Sequence, residues 1–254
     1  MRSGAVHEVA DTAPLAPLPP ELHGADVVVN LHGRGPQSHE VLRASNPKRL
    51  IAFGEHPRWR RGEHEVHRWC RLLEESGIPA DPGDLGLDNF AERTDTTVIH
   101  PGAASAARRW PAERWAAVAA TETRRVLITG GPDERALAEH VAAEAGLPED
   151  AVLAGRTTVA ELAEVIGSAG RLACGDTGVA HLATALGTPS VVLFGPTPPD
   201  EWGPPPDRPR HRVLWSGRRG DPHGDRPDPG LLEISVEDVL AALQRLPATT
   251  TPCS

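Results

Sequence analysis

Residues 175–181 combine the residue types that bind an anion at the start of a helix. They read Gly-Asp-Thr-Gly-Val-Ala-His and directly follow the apolar run 171–174, which predicts a strand. Free backbone N–H groups and the helix dipole favour a phosphate or diphosphate at such a turn. Thr177 adds a hydroxyl, Gly178 permits close backbone approach, and His181 falls on the first helical turn. The turn therefore predicts an anion site, although Gly-x-Thr-Gly spacing alone is a weak signal.

A simpler interpretation of the same turn stays open. Asp176 or Thr177 can be an ordinary helix cap, and His181 an edge residue with its own partners. A second loop, residues 101–111, follows another predicted strand and joins small residues to Arg108 and Arg109. Arginine forks onto phosphate oxygens, but an exposed loop with solvated arginines is an equal alternative.

A third loop, residues 130–134, carries two carboxylates after a predicted strand. A carboxylate at a strand end accepts hydrogen bonds from ribose hydroxyls, which is one interpretation of Asp133 and Glu134. The other makes Asp133 the helix N-cap and places Glu134 near the positive helix end.

Strands and helices alternate along the chain, which predicts an α/β fold with a parallel sheet. The predicted strands are 26–31, 49–53, 96–100, 126–129, 151–153, 171–174, 190–194 and 212–215. The predicted helices are 36–44, 66–76, 111–120, 133–145, 159–168, 178–186 and 235–246. In such sheets ligands bind beyond the carboxyl ends of the strands, where all three loops lie. Residues 1–24 are an irregular lead-in, residues 79–95 a domain linker, and residues 247–254 a frayed tail.

Charge and cysteine usage exclude several classes of protein. The chain has 254 residues, 26 basic and 35 acidic, for a net charge of -9. This balance argues against a nucleic-acid partner. Its cysteines, Cys70, Cys174 and Cys253, support neither a disulfide framework nor a zinc site, so we expect a reducing, cytoplasmic setting. No apolar run approaches the ~18 residues of a membrane span, and residues 1–24, which lack an apolar stretch, are not expected to act as a signal peptide.

Several motifs in order resemble glycosyltransferase family 9, the ADP-heptose:lipopolysaccharide heptosyltransferase-like enzymes. The resemblance covers about residues 25–246 and is most specific over 96–200. It is carried by Pro-Gly-Ala at 101–103, Arg-Trp-Pro-x-Glu-Arg-Trp at 109–115, Asp-Thr-Gly-x-x-His-Leu-Ala at 176–183 and Phe-Gly-Pro-Thr at 194–197.

The resemblance implies two Rossmann-like domains facing across a cleft, the GT-B arrangement. Residues 1–92 would form the acceptor-side domain and residues 93–246 the nucleotide-sugar domain, with the final helix 235–246 free to pack back on the first. Transfer would invert the anomeric carbon without a metal or cofactor, within lipopolysaccharide biosynthesis.

Carried over by position, the resemblance also implies site residues. Arg108 stands where the family usually has a donor-binding lysine. The implied donor-binding residues are Ser105, Arg108, Asp133, Glu134, Thr157, Asp176, Thr177, Gly178 and His181, and the acceptor-facing residues are His32, Arg34 and Gln37.

The family's first domain usually begins with a further β-α-β segment, whose Gly-Asp motif carries the catalytic base. We find no counterpart of it and expect the N-terminal domain to be incomplete, so the catalytic residue is unknown and His32 is the one visible substitute base. The alternatives are a catalytically incomplete nucleotide-sugar-binding remnant and a nucleotide-sugar epimerase. We expect a monomer, with a nucleotide-sugar donor, a glycan or glycolipid acceptor and at most peripheral contact with the membrane.

Overall fold

The chain divides after Asp84 into two units, each built on parallel strands. The computed structural model describes residues 10, 12–13, 15–88 and 91–247. The division comes earlier than the boundary expected at 92–93. The residues after Asp84 are held by the second unit, because the Leu87 N–H donates to the Ala185 carbonyl at 2.8 Å. Residues 1–9, 11 and 14 of the predicted lead-in and residues 248–254 of the predicted tail lie outside the described residues.

The first unit contains two strands and two helices. They are β1 (Val27–Val29), α1 (Gln37–Ala44), β2 (Arg49–Ile51) and α2 (Glu65–Glu75), and β1 pairs with β2 in parallel. The buried core of this unit is small and consists of Ile51, Phe53 and Leu72. The predicted elements are confirmed here, although both strands are shorter than expected.

The second unit holds a five-stranded parallel sheet. Its strands are β3 (Thr96–His100), β4 (Arg125–Ile128), β5 (Arg171–Gly175), β6 (Ser190–Leu193) and β7 (His211–Leu214), in the order β4-β3-β5-β6-β7. Val152 adds a single parallel bridge to Ile128 beyond β4. When that bridge is counted as a strand and the six strands of this sheet are numbered along the chain, their order is the 3-2-1-4-5-6 of dinucleotide-binding folds. The strands are all parallel, and the order in which they are added reverses between β3 and β5.

Helices cover both faces of this sheet. They are α3 (Ala112–Thr121), α4 (Arg135–Glu144), α5 (Val159–Ser168), α6 (Gly178–Leu186), α7 (Pro199–Trp202), α8 (Pro229–Leu232) and α9 (Val236–Gln244). Strand residues alternate between two cores, because successive side chains point to opposite faces. Ile99 packs with α3, α4 and α9, whereas Val98 packs with α5 and α6.

Three predictions for the second unit need correction. The strand at 151–153 is only the bridge at Val152, because residues 149–151 close a 3-10 turn. The helix predicted from 133 starts at Arg135, after a 3-10 turn at 132–134. The helices α7 and α8 were not predicted, since each is a single turn without periodicity.

The last helix packs within the second unit. α9 contacts α3, β6 and β7, and Val239, Ala242 and Leu243 are buried in the shared core. Ser235 caps it as predicted, with its hydroxyl accepting the Asp238 N–H at 3.1 Å. The apolar face of α9 is therefore buried within the second unit itself.

Candidate functional site

The site lies where the sheet order reverses, between β3 and β5. His100 at the end of β3 is in register with Cys174 in β5, so the loops that follow these strands leave the same sheet edge side by side. In open α/β sheets, a crevice for ligands forms at this point. The structure therefore brings together the loops 101–111 and 175–178, as the sequence predicts.

Arg108 joins the two loops. Its Nη1 donates to the Asp176 carbonyl at 3.3 Å and lies 3.8 Å from Asp176 Oδ2. Its side chain is only 23% exposed, so the guanidinium is held rather than freely solvated. This geometry disfavours the alternative of a solvated surface arginine.

Ser105 and a distant segment hold Arg108 in place. The Arg108 Nε donates to Ser105 Oγ at 3.3 Å, and Ser105 Oγ donates to the Pro222 carbonyl at 2.6 Å. Ala107 is bonded through its N–H to the Gly224 carbonyl and through its carbonyl to the Asp228 N–H, both at 3.1 Å. The loop is thereby fixed by residues 222–228, which the sequence analysis did not assign to the site.

The start of α6 offers backbone donors to the crevice. Thr177 occupies the N-cap position in extended conformation, but its hydroxyl makes no capping bond. Gly178 is exposed, and a Cβ there would meet no atom within 4 Å. The predicted close approach of a ligand to this backbone is therefore sterically open.

Asp176 is buried beside Arg108, with its side chain 8% exposed. Burial raises the pKa of the Asp176 carboxyl, and the Arg108 charge opposes that rise. His181 is exposed on the first turn of α6, with its ring centroid 6.2 Å from that of Trp202. His181 thus has ring contacts of its own and also lies at the helix end where an anion would sit.

Glu134 reaches back across the loop after β4. Its Oε2 accepts the Gly131 N–H at 2.8 Å and lies 3.7 Å from His100 Nε2. Asp133 is exposed and is not the N-cap, because Gly131 caps the 3-10 turn and Glu134 caps α4. Of the two carboxylates, Glu134 is the one held by the strand-end loops.

The remaining predicted site residues are Thr157 in the second unit and the acceptor-side residues in the first unit. Thr157 is partly buried in the turn after Val152, immediately before the N-cap residue Thr158 of α5. In the first unit, the exposed side chains His32, Arg34 and Gln37 lie in the loop after β1 and at the first residue of α1.

The sequence analysis missed His100 and the segment 222–228, which holds the loop that carries Arg108. His100 is buried, and its Nδ1 lies 3.0 Å from Thr129 Oγ. The available signal was a histidine ending the predicted strand 96–100 directly before Pro101 and Gly102. The segment 222–228 left no local signal, since its hydrogen bond with Ser105 spans 117 positions of sequence.

The described residues supply two negative findings. In 10, 12–13, 15–88 and 91–247, no three or more His, Cys, Asp or Glu side chains are grouped to hold a metal ion. Over the same ranges, every helix is too short or too polar to cross a membrane.

Together, the strand order and the strand-end loops define a Rossmann-like unit whose switch point lies between β3 and β5. Residues 53–229 match the family described as glycosyltransferase family 9 (heptosyltransferase). The chain belongs to glycosyltransferase family 9. The match contains the whole of the range 96–200, where the resemblance was most specific.

Individual relatives agree with this assignment. The chain is 34% identical to lipopolysaccharide heptosyltransferase 1 of Pseudomonas aeruginosa over 54% of this chain and 41% of that protein. It is 32% identical to lipopolysaccharide heptosyltransferase 3 of Escherichia coli over 66% and 52%. The chain thus spans about half the length of the curated relatives it matches.

A solved structure shows the same fold. The E. coli heptosyltransferase WaaC with ADP superposes with a TM-score of 0.59 and 18% identity, covering 88% of this chain and 74% of that one.

Proposed function

We propose that the second unit binds a nucleoside-diphosphate sugar at the β3–β5 switch point and serves as the donor half of an inverting glycosyltransferase. The transferred sugar is heptose-like, and the acceptor is a glycan or lipid-linked glycan. The observation that carries the proposal is the junction of Arg108 with the start of α6, held at 3.3 Å through the Asp176 carbonyl. The E. coli WaaC structure, which was solved with ADP, supports a nucleotide ligand for this fold.

The proposed reaction requires stabilisation of the negative charge that develops on the leaving diphosphate. An acceptor hydroxyl attacks the anomeric carbon, the bond to the diphosphate breaks, and the nucleoside diphosphate leaves with growing negative charge. Fixed donors stabilise such charge in a site that excludes water. Arg108 provides a cation, the helix N-terminus at 177–179 provides N–H donors, and Glu134 accepts from the ribose.

The base that deprotonates the acceptor is not assigned. A general base contributes a factor of about 10²–10⁴, and His32 in the first unit is the candidate substitute. We further propose that the reaction needs no metal or cofactor and that the protein is a cytoplasmic monomer with at most peripheral membrane contact.

Isothermal titration with ADP, UDP, GDP and inorganic pyrophosphate tests donor binding directly. Arg108→Ala should weaken binding by about 1.5–3 kcal/mol, the value of a hydrogen bond to a charged group, or about 10- to 150-fold in Kd. Arg125→Ala is the matched control, because Arg125 begins β4 at the opposite sheet edge and is 66% exposed. Equal affinity of the Arg108→Ala variant and the wild type would remove Arg108 from the site.

The alternative is a nucleotide-sugar-binding remnant without transferase activity. It is favoured by the small core of the first unit, whose buried apolar side chains among the described residues are Ile51, Phe53 and Leu72. A transfer assay run beside the titration separates the two proposals, since nucleotide binding without glycosylated acceptor supports the remnant. Release of a free sugar isomer would instead indicate an epimerase.

A further inference from the structure

We propose that His100 is a positioning residue that holds the Glu134 carboxylate where it receives the ribose hydroxyls of the nucleotide. The inference rests on the proposed function and extends it, because it makes selection of the ribonucleoside depend on a buried side chain behind the site. Neither His100 nor its partner Thr129 was among the residues that the family resemblance implied.

Glu134 lies in a slot that two glycines leave open. A Cβ at Gly102 would overlap both carboxylate oxygens of Glu134, and a Cβ at Gly130 would lie 3.1 Å from Glu134 Cβ. The Gly131 N–H holds Oε2 at 2.8 Å. These contacts place a carboxylate between the loops that follow β3 and β4, at the same edge as Arg108.

His100 stands behind this carboxylate. Only 5% of the residue is exposed, its Nδ1 is 3.0 Å from Thr129 Oγ, and its Nε2 is 3.7 Å from Glu134 Oε2. Burial lowers the pKa of His100, and the Glu134 charge opposes that shift. The imidazole is therefore neutral in neutral solution and has one N–H to donate.

The two neighbours decide which nitrogen carries that proton. Glu134 is an acceptor, whereas the Thr129 hydroxyl can donate. The arrangement that suits these roles has Thr129 Oγ–H donating to Nδ1 at 3.0 Å, while Nε2–H faces Glu134 Oε2 at 3.7 Å. This leaves Glu134 Oε1 to accept from the ligand, and a carboxylate in this position accepts from the ribose 2′-hydroxyl.

Amide replacements separate the two halves of the imidazole. In His100→Asn the amide reaches the Nδ1 position and keeps the Thr129 contact, but nothing replaces Nε2. In His100→Gln the amide reaches the Nε2 position and restores the donor to Glu134. The pair of variants therefore tests the contact with Glu134 separately from the burial of a polar group.

The experiment is isothermal titration of the full chain with ADP, 2′-deoxy-ADP and inorganic pyrophosphate. For His100→Asn we expect ADP affinity to fall about tenfold, the value of one hydrogen bond from the ribose to Glu134, with the preference for ADP over 2′-deoxy-ADP lost. Pyrophosphate affinity should stay within about twofold of wild type. His100→Gln should retain most of the preference for ADP, and Glu134→Gln should abolish it.

Equal losses for ADP and pyrophosphate would overturn the inference, because they would mean that His100 supports the whole loop and not Glu134. An unchanged preference for ADP in His100→Asn would also overturn it. Should that variant fail to fold, Thr129→Val removes the hydroxyl that orients the imidazole and is expected to reduce the same preference. If wild-type protein binds none of ADP, UDP, GDP and pyrophosphate, the proposed function itself fails.

Discussion

Removal of the Glu122 carboxylate tests how the two central strands are held in register. Glu122 is the C-cap residue of α3 with its side chain 3% exposed, and Arg171 Nη2 lies 2.5 Å from each of its oxygens. Thr97 Oγ donates to the same carboxylate at 2.9 Å and accepts from Arg171 Nε at 2.9 Å. Thr97 and Arg171 are facing residues of β3 and β5, whose opposite ends carry the site.

The Glu122→Ala substitution leaves the Arg171 guanidinium buried without its carboxylate. Breaking a buried pair in this way costs about 3–5 kcal/mol. For a unit of 150–250 residues this corresponds to a fall in Tm of about 6–20 °C. The loss exceeds that of a simple hydrogen bond because the charge that remains has lost most of its solvation.

Unfolding in urea and thermal unfolding, both followed by circular dichroism, measure the effect. Glu139→Ala is the matched control, since Glu139 pairs with Arg135 on the exposed face of α4 at 2.8 Å. We expect the control to stay close to wild type, because exposed ion pairs contribute little. If both variants lost the same free energy of unfolding, the argument from burial would be refuted.

Two further outcomes follow from the described contacts. Gly102→Ala should weaken ADP binding at least about tenfold and leave the fold intact, because its Cβ displaces the Glu134 carboxylate. Gly131→Ala is the control, since a Cβ there lies 3.8 Å from Glu134 Oε2. Equal losses of ADP affinity in both variants would contradict the argument that Gly102 leaves room for the Glu134 carboxylate. His211 should titrate with a pKa lowered from 6.5 to about 4 by burial and by nearby arginine charges, with Ser190 Oγ 2.9 Å from its Nδ1. Since the unfolded state binds the proton more tightly, this group stabilises the fold above pH 6.5, and that stabilisation is lost as the pH falls towards 4. Imidazole NMR titration and the pH dependence of unfolding in His211→Gln measure it, and a titration near 6.5 would contradict the prediction.

The sequence by itself determined the fold class and the family. Apolar runs such as 172–174 and 191–194 alternate with amphipathic helices, and a hydrophobic period is a local property that needs no tertiary contact. Cap signals such as Ser235 are equally local. The same holds for the motifs at 109–115 and 176–183, whose spacing indicated glycosyltransferase family 9 before any geometry was known.

Short or weakly periodic elements were the ones that sequence reasoning misplaced. Residues 151–153 have the composition of a strand, but a 3-10 turn uses residues 149–151, and a single bridge at Val152 remains. The domain boundary was set too late, because the residues after Asp84 are held by long-range bonds such as that of Leu87 to Ala185. The polar composition of residues 79–95 indicates a loop, but it does not indicate which unit the loop packs against.

The tertiary structure decided how the site is put together. Arg108 and Asp176 are 68 positions apart, and only the order β4-β3-β5 makes their loops neighbours. The choice of Glu134 over Asp133, and the buried histidine behind it, depends on where the loops after β3 and β4 lie in space. Residue types and spacing are encoded locally, whereas distances between strand ends are set by the sheet.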